Sequence, residues 1–175
     1  MTIKTIFLDR DGVINKEVGY LFRISDFEFI EGVFDACLHF HHLGYKIIII
    51  SNQSGIARGY YNENDYQKLT EWMLGQFNDN GINILDIFYC PHSPESLCEC
   101  RKPKPGMLIE AEYKYNISMK DSWMIGDKET DIKAANLAGI TNTILVRSGH
   151  LVDKSNSKSK FTIDSIKQSN EVIKT

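Results

Sequence analysis

The stretch Ile6-Phe7-Leu8-Asp9-Arg10-Asp11-Gly12 decides how the chain is read. An apolar run ends in two aspartates two residues apart, and a glycine follows at once. Apolar β-formers bounded by glycine read as a buried strand that stops at a loop. In an open parallel sheet, ligands bind just beyond the carboxyl ends of the strands. A carboxylate there can be a metal ligand, a nucleophile or an acid/base, and this strand end offers two. Taken alone, the same residues also fit a strand followed by a polar turn, since aspartate before glycine is common in turns.

The rest of the chain argues for the first reading. Lys4 to Leu8 and Tyr45 to Ile50 read as the first two strands, the second carrying four consecutive isoleucines. Between them, Gly32 to Leu43 has helical spacing, with Val33, Ala36, Cys37 and Phe40 on one stripe and Gly44 as its stop. His39, His41 and His42 lie near its end, where imidazoles suit the helix dipole. Asn64 to Phe77 is a second helix, Ile84 to Tyr89 a third strand, and Pro105 to Tyr115 a helix opening on proline. Ser122 to Ile125 is a strand ending in Gly126-Asp127, Glu129 to Ala138 a helix stopped by Gly139, and Thr143 to Val146 a further strand. Strands alternating with helices imply an α/β fold, a Rossmann-like parallel sheet with helices on both faces. A single domain spanning 1–175 is expected, with no large cap domain. Its last part, 151–175, is weakly determined: residues 154–160 read as a polar, mobile connector, Phe161 to Ile163 as a short edge strand, and Asp164 to Lys174 as a weak helix.

Composition narrows the function classes. The 175 residues are 42% hydrophobic and 25% charged, close to a globular average. A net charge of -3 leaves no basic footprint for nucleic acid. No apolar run approaches the ~20 residues of a membrane span, and nothing after Met1 resembles a signal peptide. A cytoplasmic protein is the expectation, in which four cysteines are not expected to form disulfides.

Three strand ends supply polar groups to one crevice. The first gives Asp9 and Asp11. The second gives Ser51 and Asn52, short side chains that can hold an oxyanion. A later one gives Asp127 and Lys128, with Asp131 one helical turn on. Four carboxylates would repel one another without a cation among them, and magnesium is the hard ion that prefers such ligands. Lys102 and Lys128 add positive charge suited to a phosphoryl group, whose transfer needs mainly positioning and charge neutralisation. An aspartate can itself be the attacking group.

The motifs Asp9-Arg10-Asp11-Gly12, Ser51-Asn52, Lys102 and Gly126-Asp127-Lys128 with Asp131 resemble those of the haloacid dehalogenase superfamily of aspartate-nucleophile phosphatases, in the family's order. The resemblance implies that Asp9 is the nucleophile and Asp11 the proton donor and acceptor. It implies that Ser51 and Lys102 stabilise the phosphoryl group. Asp9, the carbonyl of Asp11 and Asp127 would bind magnesium, while Asp131 would orient Lys128 or a metal-bound water rather than coordinate.

A second cluster concerns a different metal. Cys90, His92, Cys98 and Cys100 place three thiols and an imidazole within eleven residues, a closed tetrahedral set for structural zinc. Zinc there would pin the loop 90–103, which runs directly into Arg101-Lys102. The alternative is that Cys90 is core and the others are ordinary loop residues. Within the superfamily, such a loop resembles one branch, which holds heptose bisphosphate phosphatases and histidinol-phosphate phosphatases. Residues Ser51 to Gly59, Gly19-Tyr20, Thr70 to Met73 and Cys100 to Pro103 are similar to the former. That resemblance implies hydrolysis of the 7-phosphate of D-glycero-D-manno-heptose 1,7-bisphosphate, a step toward nucleotide-activated heptose for lipopolysaccharide or related glycans. Glu17, Val18, Gly19, Tyr20, Asn52, Gln53, Ser54, Arg58, Arg101 and Lys128 would then contact the sugar or its phosphates. A histidinol-phosphate phosphatase and a non-enzymatic, zinc-containing phosphate-binding module remain the alternatives. The partner expected is a small sugar bisphosphate, with neither nucleic acid nor membrane, and the chain is expected to act as a monomer.

Overall fold

Strict alternation along the apolar strands builds two cores on one sheet. In the computed structural model, which describes residues 1–150 and 156–174, the order of elements is β1 (Thr5–Leu8), α1 (Val33–His42), β2 (Lys46–Asn52), α2 (Glu63–Asp79), β3 (Asp86–Cys90), α3 (Gly106–Tyr115), β4 (Trp123–Gly126), α4 (Glu129–Leu137), β5 (Asn142–Val146), β6 (Phe161–Ile163) and α5 (Ser169–Val172). The six strands form one sheet in the order β3-β2-β1-β4-β5-β6, and every neighbouring pair is parallel. Ile6, Leu8, Ile47, Ile49 and Ile125 pack against the apolar stripes of α1 and α2. Phe7, Ile48, Ile50 and Met124 turn the other way, onto α3 and α4. A run of four isoleucines is therefore buried on both faces, as a central parallel strand requires.

From β1 the chain builds outward to β2 and β3 on one side. It then returns through β4 and builds outward to β5 and β6 on the other. The order reverses between β1 and β4, and a crevice opens beyond their carboxyl ends at that point. No second domain interrupts the described residues, and no helix among them is long and apolar enough to cross a membrane.

Among the boundaries that differ from the sequence expectation, three have local reasons that bear on the site or its supports. Strand β2 runs on to Asn52 because Ser51 and Asn52 pair with Tyr89 and Cys90 of β3, so both polar residues are held by a rigid element. Helix α2 starts early, at Glu63, where Asn62 and Asp65 form a reciprocal capping box. Pro105 caps α3 instead of opening it, and Gly106 takes the first position. A Cβ at Gly106 would lie 2.2 Å from the carbonyl oxygen of Glu99, so the loop before α3 passes too close for any side chain.

The carboxyl-terminal segment is better tied down than expected. Residues 151–155, which include the first two of the expected connector, lie outside the described residues. From Ser157 onward the connector is held rather than loose: the Ser157 hydroxyl and Lys158 N–H donate to the Glu129 carboxylate, at 3.0 and 2.8 Å. The expected terminal helix is broken into a 3₁₀ turn at Ile166–Gln168 and the short α5. Ile166 and Ile173 bury against the α1 face, and the carbonyl of Ile173 is 2.8 Å from His39 Nε2.

Phe77 is fully buried on α2, with its ring edge-on to Phe29 and Phe34 at 5.8 and 5.4 Å between centroids. Phe77→Ala is expected to cost about 3–5 kcal/mol of unfolding free energy by cavity formation, read as a lower urea midpoint with an unchanged m-value.

Candidate active site

Groups at or just beyond the ends of β1, β2 and β4 meet on one buried ammonium. Lys102 Nζ donates to Asp9 Oδ1 at 2.9 Å and to the carbonyl of Ile50 at 2.8 Å, and lies 2.7 Å from Asp131 Oδ1. Burial works against its charge. Asp131 and Asp9 more than offset that and hold the ammonium pKa above its ordinary value. The backbone that carries Lys102 is fixed by Asn52, whose side-chain amide donates to the Lys102 carbonyl and accepts from its N–H, both at 3.1 Å. The Asn52 amide therefore serves the backbone of Lys102, and the two are joined as a unit.

Asp9, Asp127 and Asp131 each offer a carboxylate oxygen within 4.8 Å of the others. Burial, and then the charge of Asp131, raise the Asp9 carboxyl well above the usual range. The same two causes push Asp127 up to about 6. Asp131, expected to orient Lys128 or a metal-bound water, holds the Lys128 backbone rather than its ammonium. Its Oδ2 accepts the backbone N–H groups of Asp127 and Lys128, at 3.1 Å each, and its Oδ1 serves Lys102. Lys128 caps α4 with its backbone and lines the crevice. No hydrogen-bond donor among the described residues reaches Oδ1 of Asp127, which is fully buried beside Asp9. A buried carboxylate oxygen facing another carboxylate fits a site for a divalent cation.

Asp11 occupies a separate set of bonds. Arg10 Nη2 lies 3.0 Å from both of its oxygens, and Asn15 Nδ2 and Gln53 Nε2 donate at 3.0 and 3.1 Å. Burial opposes the Asp11 charge, but Arg10 beside it keeps the carboxyl below the usual range. Gln53 also donates to Ser51 Oγ at 2.6 Å and accepts from the Tyr61 hydroxyl. Ser51, Gln53 and Asp11 thus form one chain of bonds across the crevice floor.

Above this floor lies a cavity of about 430 Å³. Glu17, Gly19, Tyr20, Ser54, Arg58 and Arg101 reach its wall. Val18 does not: it points outward and is 57% exposed. A deeper recess of about 60 Å³ touches Asp9, Asp11, Lys102 and Asp131. A larger cavity, about 630 Å³, opens at the opposite edge of the sheet around Lys4, Lys46 and Lys120, far from the clustered carboxylates.

The loop behind Lys102 gathers Cys90, His92, Cys98 and Cys100, whose ligand atoms all lie within 4.8 Å of one another. His92 Nδ1 is 3.4 Å from Cys90 Sγ and 3.2 Å from Cys100 Sγ, and Cys90 and Cys98 are 3.7 Å apart between sulfurs. The donor set fits zinc in type. A tetrahedron with bonds of ~2.3 Å has edges of ~3.7 Å, and these pairs lie at or inside that spacing, the Cys90 and Cys100 sulfurs at 2.9 Å.

Four residues that sequence reasoning passed over belong to the site. Arg10, 2% exposed, alternates away from Asp9 along the strand yet folds back onto Asp11. Asn15 and Tyr61 complete the Asp11 and Gln53 bonds. His150 sits with Nδ1 2.6 Å from Asp127 Oδ2 and lines the 430 Å³ cavity above the floor. Nothing in spacing or periodicity marks His150, which lies 23 residues beyond its partner.

Comparison with known proteins places this arrangement. A family profile described as HAD-hydrolase-like matches residues 99–169. A D-glycero-alpha-D-manno-heptose-1,7-bisphosphate 7-phosphatase of Photorhabdus laumondii is 51% identical over 155 residues, covering 85% of each chain. A D-glycero-beta-D-manno-heptose-1,7-bisphosphate 7-phosphatase of Vibrio cholerae is 44% identical, covering 95% of this chain and 94% of its own. The crystal structure of a D,D-heptose 1,7-bisphosphate phosphatase from B. bronchiseptica, complexed with magnesium and phosphate, is similar with a TM-score of 0.85 and 26% identity, covering 97% of both chains. The chain belongs to the heptose-1,7-bisphosphate 7-phosphatase family of HAD-like hydrolases.

Proposed function

We propose that the chain removes the 7-phosphate of a D-glycero-D-manno-heptose 1,7-bisphosphate and leaves the 1-phosphate in place. The observation that carries this reading is the pairing of a phosphatase-type floor with a second cationic group across the cavity. Asp9 and Lys102 line the floor, Asp127 is clustered with Asp9, and Arg101 reaches the wall from the loop that carries Lys102. A bisphosphate presents an anion to each. The named activity of the relatives at 43–51% identity supports the same substrate class.

In this mechanism an Asp9 carboxylate oxygen attacks the phosphorus while Lys102 holds its other oxygen and offsets charge. The bond to the sugar oxygen breaks, and Asp11 delivers a proton to that oxygen, because an alkoxide is a poor leaving group until protonated. Asp11, then a carboxylate, takes a proton from the water that hydrolyses the phosphoryl-aspartate. Arg10 holds Asp11 ionised in the free site, and an incoming phosphate dianion raises its proton affinity for the first step. Ser51, fixed by Gln53, would stabilise the phosphoryl group. Asp9, the main-chain carbonyl of Asp11 and Asp127 would hold magnesium, whose charge neutralises the phosphoryl oxygens. Asp131 acts through Lys102 and the N–H groups that open α4. Zinc on Cys90, His92, Cys98 and Cys100 would be structural, since four protein ligands leave no open position. It would fix the loop from which Arg101 and Lys102 project.

Asp9→Asn is expected to abolish phosphate release with the fold intact, and Asp11→Asn to slow it by ~10²–10⁴-fold. Wild-type rates in either would overturn these roles. The wild-type protein should carry about one zinc per chain by elemental analysis, and Cys98→Ser should lose it. Purified active protein without zinc would end that assignment. On the substrate, kcat/KM is compared for both anomers of the bisphosphate, for histidinol phosphate and for a simple phosphate monoester. The bisphosphate should be preferred. Arg101→Ala should cost roughly 1.5–3 kcal/mol with the bisphosphate and little with the monoester. Preference for histidinol phosphate would transfer the assignment to that substrate.

A further inference from the structure

The turn after β5, Ser148-Gly149-His150, is built against one carboxylate. The Ser148 hydroxyl donates to the carbonyl of Gly12 at 2.7 Å, which locks the turn to the loop after β1. Gly149 lets the backbone come close: a Cβ there would stand 2.1 Å from Asp127 Oδ2. Gly12 approaches from the other side, where a Cβ would stand 2.4 Å from the same oxygen. Asp127 Oδ2 then accepts two bonds from His150, from the backbone N–H at 3.1 Å and from ring Nδ1 at 2.6 Å. Facing a carboxylate, Nδ1 carries its hydrogen. The Asp127 side chain is fully buried, whereas that of His150 is 40% exposed.

We infer that His150 is a positioning residue for the cation site: it holds Oδ2 of Asp127 so that Oδ1, which has no donor, is presented to the divalent ion. The inference rests on the reading of Asp127 as a ligand. Partners of this kind orient ligating groups in other metal sites, and removing them weakens metal affinity by about 10–100-fold. His150 also reaches the cavity wall, so the residue that fixes the ligand borders the space the sugar occupies. Because its ring is part-exposed and bonded through a single nitrogen, replacing it leaves the core untouched.

The test measures free Mn²⁺ by electron paramagnetic resonance during titration of substrate-free protein, with Mg²⁺ dependence of phosphate release alongside. His150→Ala should weaken Mn²⁺ binding by roughly tenfold or more and raise the Mg²⁺ needed for half-maximal activity, with kcat at saturating Mg²⁺ far less affected. His150→Asn, whose amide NH₂ can take the place of Nδ1, should restore most of the affinity. Unchanged Mn²⁺ affinity in His150→Ala overturns the proposal. So does a loss that His150→Asn leaves unrepaired, with or without a lowered unfolding midpoint, since that marks a packing role. Asp127→Asn separates the two readings: if it keeps wild-type Mn²⁺ binding, Asp127 is no ligand and both fall. If it abolishes binding while His150→Ala does not, only the role of His150 falls.

Discussion

The site hangs on one buried cation. Lys102 lies beneath three strand ends, and its ammonium is shared by two carboxylates and a main-chain carbonyl. Water is excluded there, so each contact is stronger than on a surface and each lost partner is dearer. Asp9 and Asp131 could not lie so close without it. Lys102 in turn is placed by Asn52 at the end of β2 and by the loop that leaves β3 through the cysteine cluster. Sheet, loop and carboxylates are therefore coupled through a single side chain.

That coupling explains the division of labour among the polar residues. Those at the floor are nearly all committed to one another: Gln53 bridges Ser51 and Asp11, and Asp131 joins Lys102 to the start of α4. Preorganised groups of this kind need little rearrangement as charge develops. Residues of the wall, such as Tyr20 and Arg58, carry fewer fixed bonds and line open space. In the proposed mechanism, chemistry falls to the rigid layer and choice of substrate to the looser one.

Much of this was legible beforehand. Parallel strands buried on both faces leave continuous apolar runs, and Ile47 to Ile50 declares one without ambiguity. Carboxylates placed just after such runs mark the crevice, so Asp9, Asp11 and Asp127 were accessible from pattern alone. The four zinc-type donors were accessible from residue type and crowding. What stayed hidden depended on rotamers and on distant segments. Alternation sends Arg10 away from the crevice, yet its long stem bends back to Asp11. Asp131 does serve Lys128, but through the backbone N–H, and its second partner Lys102 lies far off in sequence. Val18 lies between two cavity residues but turns outward. His150 reaches Asp127 from the far end of β5, a contact that no local signal encodes.

The position of β1 in the sheet has a bearing on how the chain assembles. β1 precedes every other strand along the chain, yet it is central, and it pairs with β4, whose register partners lie about 117 residues later. β1 to β3 with α1 and α2 can close one face early. The opposite face, with Phe7, Ile48 and Ile50, stays bare until α3 and α4 emerge. Contacts of such long range slow folding and leave apolar surface open meanwhile. The crevice, with walls drawn from both halves of the sheet, comes into being only at the end of that process, so a truncated nascent chain holds half a core and no site.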